Sequence, residues 1–133
     1  MIRIVLSTFP DEEAAAKAVR ALVSENLAAC GTLLPGARSI YRWEGKIEDA
    51  SEVVAIFKIS AANEKSFAAR LLELHPYDVP EMVFLTPSHV HEAYAQWVVE
   101  KNDPADGCDP GANAQDAGPL RGATQAGQGL RAD

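Results

Sequence analysis

The hydrophobic positions of the chain fall into short apolar runs separated by stretches with a helical period. Runs of this length are typical of buried strands, and they occupy residues 2–6, 28–34, 53–59 and 82–85. The second run stops at Pro35-Gly36 and resumes over residues 39–43, so we expect that strand to be interrupted. The pattern therefore predicts four strands.

Three amphipathic helices are predicted between and after these strands. The first begins at the acidic residues 11–13, whose charges favour the positive end of the helix dipole. Asn63 and Ser88 are expected to cap the second and third helices, and Pro76 to end the second. The apolar positions that repeat every three or four residues are Ala15, Val19, Leu22, Val23, Phe67, Leu71, Leu74, Val90, Ala93, Tyr94, Trp97 and Val98.

This order of elements, βαββαβ and then a helix, predicts an α+β protein with the ferredoxin-like fold. That fold is a four-stranded sheet with two helices on one face, and here it gains an extra C-terminal helix. Right-handed crossovers leave few other topologies for such an order. Glu44-Gly45-Lys46 predicts a tight reversal between the second and third strands, which would form a long hairpin.

The predicted hairpin is too long for the short neighbouring strands to pair along its whole length. Its distal half carries Ile40, Tyr41, Trp43 and Ile47. A two-stranded arm that exposes large aromatic residues would be marginally stable and prone to association. We therefore expect copies of the chain to associate and to bury the arm.

Composition changes abruptly near Asn102. Residues 102–133 hold six of the nine glycines and three of the eight prolines, and Leu120 and Leu130 are their only large aliphatic residues. Such a segment buries too little apolar surface to offset the entropy lost on ordering. We predict one folded domain over residues 1–101 and a flexible, low-complexity tail over residues 102–133.

Charge and cysteine content narrow the function classes. The formal net charge of −7 opposes binding to nucleic acid or to an anionic membrane, because both require positive charge. No apolar stretch approaches the roughly 18 residues that a membrane-spanning helix needs. Cys30 and Cys108 are far apart and fit no metal or redox spacing. A reducing cytoplasm is the simplest compartment for both.

Four segments, in order along the chain, give it a resemblance to a known family. They are Leu6-Ser7-Thr8-Phe9-Pro10-Asp11, Leu27-Ala28-Ala29-Cys30-Gly31 with Leu34-Pro35-Gly36, Tyr41-Arg42-Trp43-Glu44-Gly45-Lys46-Ile47, and His75-Pro76-Tyr77-Asp78-Val79-Pro80-Glu81. On these segments residues 2–101 resemble the CutA family of divalent-cation tolerance proteins. The resemblance implies a ferredoxin-like fold, a cytoplasmic homotrimer packed through its sheets, and a response to copper and other divalent metal ions. It also implies a likeness in fold and assembly to PII signal-transduction proteins.

The resemblance points to a metal site from which this sequence departs. Family members credited with copper binding use a Cys, a His and a Glu at the positions of Ser7, Leu74 and Glu81. Only the Glu remains, and a hydroxyl does not replace a thiolate that favours Cu(I). Glu81, with His75 nearby, is expected to hold a divalent ion such as copper or zinc weakly, with missing ligands from a neighbouring subunit. The alternative is that His75 caps helix carbonyls and Glu81 pairs with a basic residue.

The hairpin tip and the His-Pro-Tyr segment supply a second set of candidates. We expect a ligand or trimer cleft between subunits to be lined by Tyr41, Trp43, Glu44, Lys46 and Tyr77. Glu44 and Lys46 would orient a polar group of the ligand in that cleft. The alternative is that these side chains only pack and form the turn.

His89 and His91 form the other candidate metal pair. On a strand the two rings would share a face, but in the first turn of a helix they point apart. We expect both to be surface residues, with Glu92 as the neighbour of His89 on the predicted helix.

Other functions of this topology are disfavoured by charge. Acylphosphatases need an anion-binding loop with a basic residue after the first strand, whereas the carboxylates at 11–13 would repel phosphate. RNA-recognition sheets need a basic surface. Motifs for nucleophilic, nucleotide-binding or zinc-protease sites are missing from the sequence, so we expect no enzyme and no organic cofactor. The resemblance implies two alternative functions: a trimeric binder of divalent metal ions, and a PII-like sensor of a small ligand or interaction scaffold without a physiological metal.

Overall fold

The computed structural model describes residues 1–102, and the remainder of the predicted tail lies outside the described residues. The strands are β1 (Ile2–Phe9), β2 (Cys30–Trp43), β3 (Lys46–Ser60) and β4 (Val83–Leu85). The helices are α1 (Glu12–Ser24), α2 (Glu64–Leu74) and α3 (Glu92–Lys101), and a 3₁₀ turn at Ala61–Asn63 precedes α2.

The four strands form one antiparallel sheet in the order β2-β3-β1-β4. β1 lies at its centre and pairs with β3 from Ile2↔Ser60 to Phe9↔Val53. β4 pairs with β1 over three residues only. This topology confirms the predicted ferredoxin-like α+β fold with a long hairpin and an added C-terminal helix.

The helix-covered face of the sheet holds the main core. Asp11 begins α1 because its Oδ1 accepts a 2.8 Å hydrogen bond from the Ala14 amide, which satisfies a free helix-terminal donor. Phe57 and Phe67 pack edge to face, with their ring centroids 5.0 Å apart. The fully buried residues of this core also include Val5, Phe9, Ala15, Leu22, Val53, Ala55, Ile59 and Leu71.

The opposite face of the sheet is only partly covered. At one end α3 packs Tyr94 and Val98 beside Ile2 and Ala29. Elsewhere an open apolar face remains, because paired residues of antiparallel strands point the same way and alternate positions share a face. Its members are Ile4, Leu6, Leu34, Val54, Ile56, Val83 and Leu85, none of them fully buried.

The hairpin of β2 and β3 extends past the end of β1 as predicted. We call residues 37–52, which have no third strand beside them, the arm. Glu44 (φ 50°) and Gly45 (φ 81°) form its two-residue turn, and the positive φ angles match a type I′ turn. Ile40, Trp43 and Ile47 are each more than half exposed on the arm.

Three local predictions were wrong. β2 is not interrupted at Pro35-Gly36, because a bulge absorbs both residues and Gly36 adopts a φ of 83°. Asn63 precedes α2 but makes no side-chain cap, since its Nδ2 donates instead to the Asn102 carbonyl oxygen at 2.9 Å. Ser88 does not cap α3, which begins only at Glu92, after a non-helical segment.

Asn102, with which the predicted tail begins, belongs to the folded body. It ends α3, and only 1% of its surface is exposed. Its Oδ1 accepts from the Ser60 amide at 2.6 Å, and its Nδ2 donates to the Asn26 carbonyl oxygen at 2.9 Å. The end of α3 is thereby fastened to the ends of β3 and α1.

Candidate functional site

A groove with a volume of about 1260 Å³ lies between the arm and the segment at residues 75–81, which we call the 75–81 loop. The arm forms one wall and the loop forms the other. Thr8 and Pro10, at the end of β1, also contribute to the lining. The side chains discussed below that line the groove are Tyr41, Trp43, Glu48, Asp49, Glu52, Tyr77, Asp78 and Glu81.

His75 begins the loop and uses both of its ring nitrogens inside the chain. The Tyr77 amide donates to Nδ1 at 3.1 Å, so Nδ1 carries no proton. The protonated Nε2 then donates to the Thr8 carbonyl oxygen at 2.8 Å. The ring is therefore a neutral imidazole in the Nε2–H tautomer, and a metal ion could reach it only by displacing one of these bonds.

The surroundings of His75 favour this neutral form. Its ring stacks on Phe9, with the centroids 4.2 Å apart, and only 7% of the residue is exposed. Burial lowers the pKa of His75, and the Thr8 carbonyl and the charge of Glu52 oppose that shift only in part. The His75 ring caps no helix carbonyl, since both of its nitrogens have other partners; at the end of α2 only the His75 backbone amide donates, to the Leu71 carbonyl oxygen at 2.9 Å.

Tyr77 connects the loop to the base of the arm. Its hydroxyl donates to Glu52 Oε2 at 2.6 Å, which is in the range of a strong bond between a hydroxyl and a carboxylate. Glu52 is only 6% exposed, so this bond provides a partner for an otherwise costly buried carboxylate.

Carboxylates from both walls give the groove a negative charge. Glu48, Asp49 and Glu52 belong to the arm, and Asp78 and Glu81 belong to the loop. No Lys, Arg or His is among the lining residues in the described part of the chain. Asp49 is neutralised by Arg38, whose guanidinium binds it with two bonds of 2.9 and 2.8 Å and holds its pKa below the usual value.

The positions that the resemblance associates with copper binding do not share one surface. Ser7 lies on the helix-covered face between Val5 and Phe9, is fully buried, and its Oγ has no hydrogen-bond partner among residues 1–102. Leu74 packs against the main core. Glu81 is exposed and lines the groove.

These positions provide a test of the implied metal site. Within residues 1–102, no group of three or more His, Cys, Asp or Glu side chains is placed to hold a metal ion. A transition-metal site normally needs three or four protein ligands. A single described chain therefore does not fit a complete site, although its groove can attract cations through its charge.

The structure separates the predicted cleft residues into two groups. Tyr41, Trp43 and Tyr77 line the groove of the single chain, and their predicted place in a cleft between subunits stays a prediction. Glu44 and Lys46 lie at the exposed tip of the arm, outside the groove lining.

The candidate pair His89 and His91 lies before α3, and both residues are exposed. Their position on the surface was predicted, but the helical relation to Glu92 was wrong because neither residue is within the helix.

Glu52 also lines the groove, although it was not predicted from the sequence. It lies in β3, where Ala37 is its pairing partner just past the bulge. An acidic residue directly before the apolar run 53–59 was the only signal in the sequence. Its partner Tyr77 is 25 positions away, so their hydrogen bond follows from tertiary structure.

A second polar cluster lies under α3. Cys30 Sγ is 3.7 Å from Tyr94 Oη, and the Tyr94 ring stacks on Trp97. Burial raises the pKa of Tyr94.

None of the helices in residues 1–102 is long and apolar enough to cross a membrane.

Comparisons with known proteins agree with this fold. The sequence profile of the CutA1 divalent ion tolerance protein family matches residues 3–101. The divalent-cation tolerance protein CutA of Pyrococcus horikoshii is 44% identical over 98 residues, which are 74% of this chain and 95% of that protein.

Solved structures give the same result. A crystal structure of CutA from Xylella fastidiosa superposes with a TM-score of 0.75 at 40% identity, covering 77% of this chain and 98% of that one. A protein from Archaeoglobus fulgidus, described as a periplasmic divalent cation tolerance protein CutA, superposes with a TM-score of 0.74 at 26% identity. That alignment covers 77% of this chain and 100% of the Archaeoglobus protein.

Proposed function

The chain belongs to the CutA1 divalent ion tolerance family, and from this premise we propose that it acts as a homotrimer whose acidic grooves bind divalent cations. The observation that carries the proposal is the set of carboxylates on both walls of the groove, without a basic residue in its described lining. The negative potential of such a lining lowers the electrostatic energy of a cation in the groove and so favours cation binding.

The open apolar face and the arm support association between copies. Leu34, Val83 and Leu85 on the open face are each more than two-fifths exposed, and Trp43 on the arm is 54% exposed. A contiguous apolar surface of this kind is typical of an interface between protein chains. Three copies packed through their sheets would cover this face and bring each arm beside a neighbouring subunit.

Glu81 is the ligand that we propose from the described chain. It is exposed, it lines the groove, and no ion pair of Glu81 is found within residues 1–102. A neighbouring subunit would supply the remaining ligands, because one described chain does not provide three. Carboxylate oxygens favour hard or borderline ions, so zinc or Cu(II) would bind weakly and Cu(I) would not be favoured.

Isothermal titration calorimetry tests this proposal directly. The full chain, purified without a chelator or a histidine tag, should bind Zn²⁺ or Cu²⁺ with a dissociation constant of micromolar order. Glu81→Gln should weaken binding at least tenfold, and Glu100→Gln, on the exposed side of α3, should leave it unchanged. Flat titrations of the unmodified protein with both ions would contradict the proposal.

A second candidate function is a PII-like sensor that binds a small organic ligand. The aromatic rings of Tyr41, Trp43 and Tyr77 in the same groove favour it, because such faces bind organic cations as well as apolar groups. A thermal-shift screen of metabolites should then find a compound that raises the melting temperature with occupancy, and Trp43→Ala should abolish the shift. A screen without such a compound would remove this alternative.

We propose that the protein catalyses no reaction. His75 has both ring nitrogens engaged, and the ionisable side chains that line the groove are carboxylates and the tyrosines Tyr41 and Tyr77. Within the described lining, no His or Lys accompanies Ser39 or Ser51 as a base, and the Tyr77 hydroxyl is bonded to a carboxylate, which is a far weaker base than a phenolate. We place the protein in the cytoplasm, in line with the free thiol of Cys30.

A further inference from the structure

We infer that His75, Tyr77 and Glu52 form a clasp that fixes the 75–81 loop to β1 and to the base of the arm, so that His75 is a positioning residue and not a metal ligand. The clasp consists of three hydrogen bonds, which join Thr8 to His75, His75 to the Tyr77 amide, and the Tyr77 hydroxyl to Glu52.

The His75 ring is the part of the clasp that determines its chemistry. One nitrogen must donate and the other must accept, and at this position only a neutral imidazole does both. The stack on Phe9 holds the ring plane, so that Nε2 points to β1 and Nδ1 points into the loop. With both nitrogens in use, the ring has no lone pair available for a metal ion.

The bond between Tyr77 and Glu52 extends the clasp to the other wall of the groove. Glu52 lies in β3 directly past the bulge, where the arm leaves the three-stranded part of the sheet. The clasp therefore sets the distance between the carboxylates of the loop, Asp78 and Glu81, and those of the arm. It is made by side chains and backbone groups of this chain alone and does not depend on the proposed function.

Nuclear magnetic resonance of the full chain at neutral pH tests the clasp. In the unmodified protein, long-range ¹H–¹⁵N spectra of the His75 ring should have the pattern of the Nε2–H tautomer. Titration with Zn²⁺ should leave both ring nitrogens unperturbed. An Nδ1–H tautomer, or a saturable zinc shift of either ring nitrogen, would overturn the inference.

Two variants test whether the hydrogen bonds of the clasp restrain the 75–81 loop. His75→Phe retains the stack on Phe9 but removes both ring hydrogen bonds, so the Tyr77 amide should exchange with solvent about five- to tenfold faster. Tyr77→Phe removes the hydroxyl and with it the bond to Glu52, so amides at 78–81 should exchange faster. His89→Gln, at an exposed site, is the matched control.

The outcomes are distinguishable. Unchanged exchange across the loop in both folded variants would overturn the clasp. If His75→Phe does not fold, the clasp is tested by amide exchange in Tyr77→Phe and by the ring spectra of the unmodified protein. A protein that binds no zinc, yet has the Nε2–H tautomer and faster loop exchange in the variants, would contradict the proposed function and support the clasp.

Discussion

Replacement of Asn102 by alanine should destabilise the protein strongly, although this residue lies at the start of the segment predicted to be a tail. Its side chain is almost fully buried and joins three elements. The Ser60 amide donates to its Oδ1 at 2.6 Å, and its Nδ2 donates to the Asn26 carbonyl oxygen at 2.9 Å. Asn102→Ala removes both bonds and leaves the Ser60 amide buried without this acceptor.

The size of the loss follows from these contacts. A buried donor left without a partner costs about 1–3 kcal/mol, and the second hydrogen bond contributes about 1 kcal/mol. We therefore expect the free energy of unfolding to fall by about 2–4 kcal/mol, a large part of the 5–15 kcal/mol typical of a domain. The Asn63 bond to the Asn102 carbonyl oxygen involves only backbone atoms of Asn102 and should remain.

Urea unfolding at a fixed chain concentration measures this loss, because association makes stability depend on concentration. Gln96→Ala, at an exposed position of α3, is the control and should change stability by less than about 0.5 kcal/mol. Asn102→Asp keeps the shape but directs a carboxylate oxygen at the Asn26 carbonyl, so it should be at least as destabilising as alanine. A loss for Asn102→Ala no larger than that of the control would refute the reasoning.

Three further predictions concern other parts of the fold. Ser7→Ala removes a buried hydroxyl without a partner in residues 1–102 and should stabilise the protein by about 1 kcal/mol in urea unfolding; a loss of 1 kcal/mol would contradict this. Gly31→Ala would place a methyl group 2.9 Å from Val19 Cγ1 and should cost about 1–3 kcal/mol by the same assay, whereas a neutral result would mean that Val19 yields freely. The folded-state pKa of His75 is lowered by burial, so the unfolded chain binds the proton first as the pH falls below about 6.5. Stability should accordingly be complete above that pH and decline as the pH falls through the folded-state pKa of His75. In a pH series of unfolding curves His75→Phe should reduce this slope, and an unchanged slope would show that other groups cause it.

Local patterns in the sequence were sufficient to predict those elements whose conformation depends on neighbouring residues. The acidic start of α1, the apolar run that became β1 and the reversal at Gly45 each follow from a few adjacent side chains. The excess length of the hairpin was also predictable, because strand lengths can be compared before any pairing is known. These features account for the correct fold.

Tertiary contacts decided the features that were not predicted. Pro35-Gly36 has the composition of a strand break, but pairing with β3 on both sides holds it within a bulge. Asn63 is a residue type that often caps helices, but its side-chain amide donates to the carbonyl oxygen of the distant Asn102. Local propensities are weak in comparison with such contacts.

The same limit applies to the candidate site. Tyr41, Trp43, Tyr77 and Glu81 could be selected from the sequence, and all four line the groove. The fate of the two His75 nitrogens could not be predicted, because one partner, Thr8, is 67 positions away. A histidine beside a carboxylate in sequence resembles a metal site until both nitrogens are found to have other partners.

Native mass spectrometry of the full chain, purified without a chelator or a histidine tag and then supplied with zinc, is the decisive experiment on whether the protein is a cation-binding trimer. It reports the number of subunits and the bound mass in one spectrum. We expect a species of three chains that carries zinc and loses it on Glu81→Gln. A single folded chain that persists at every concentration and carries no metal ion would contradict it.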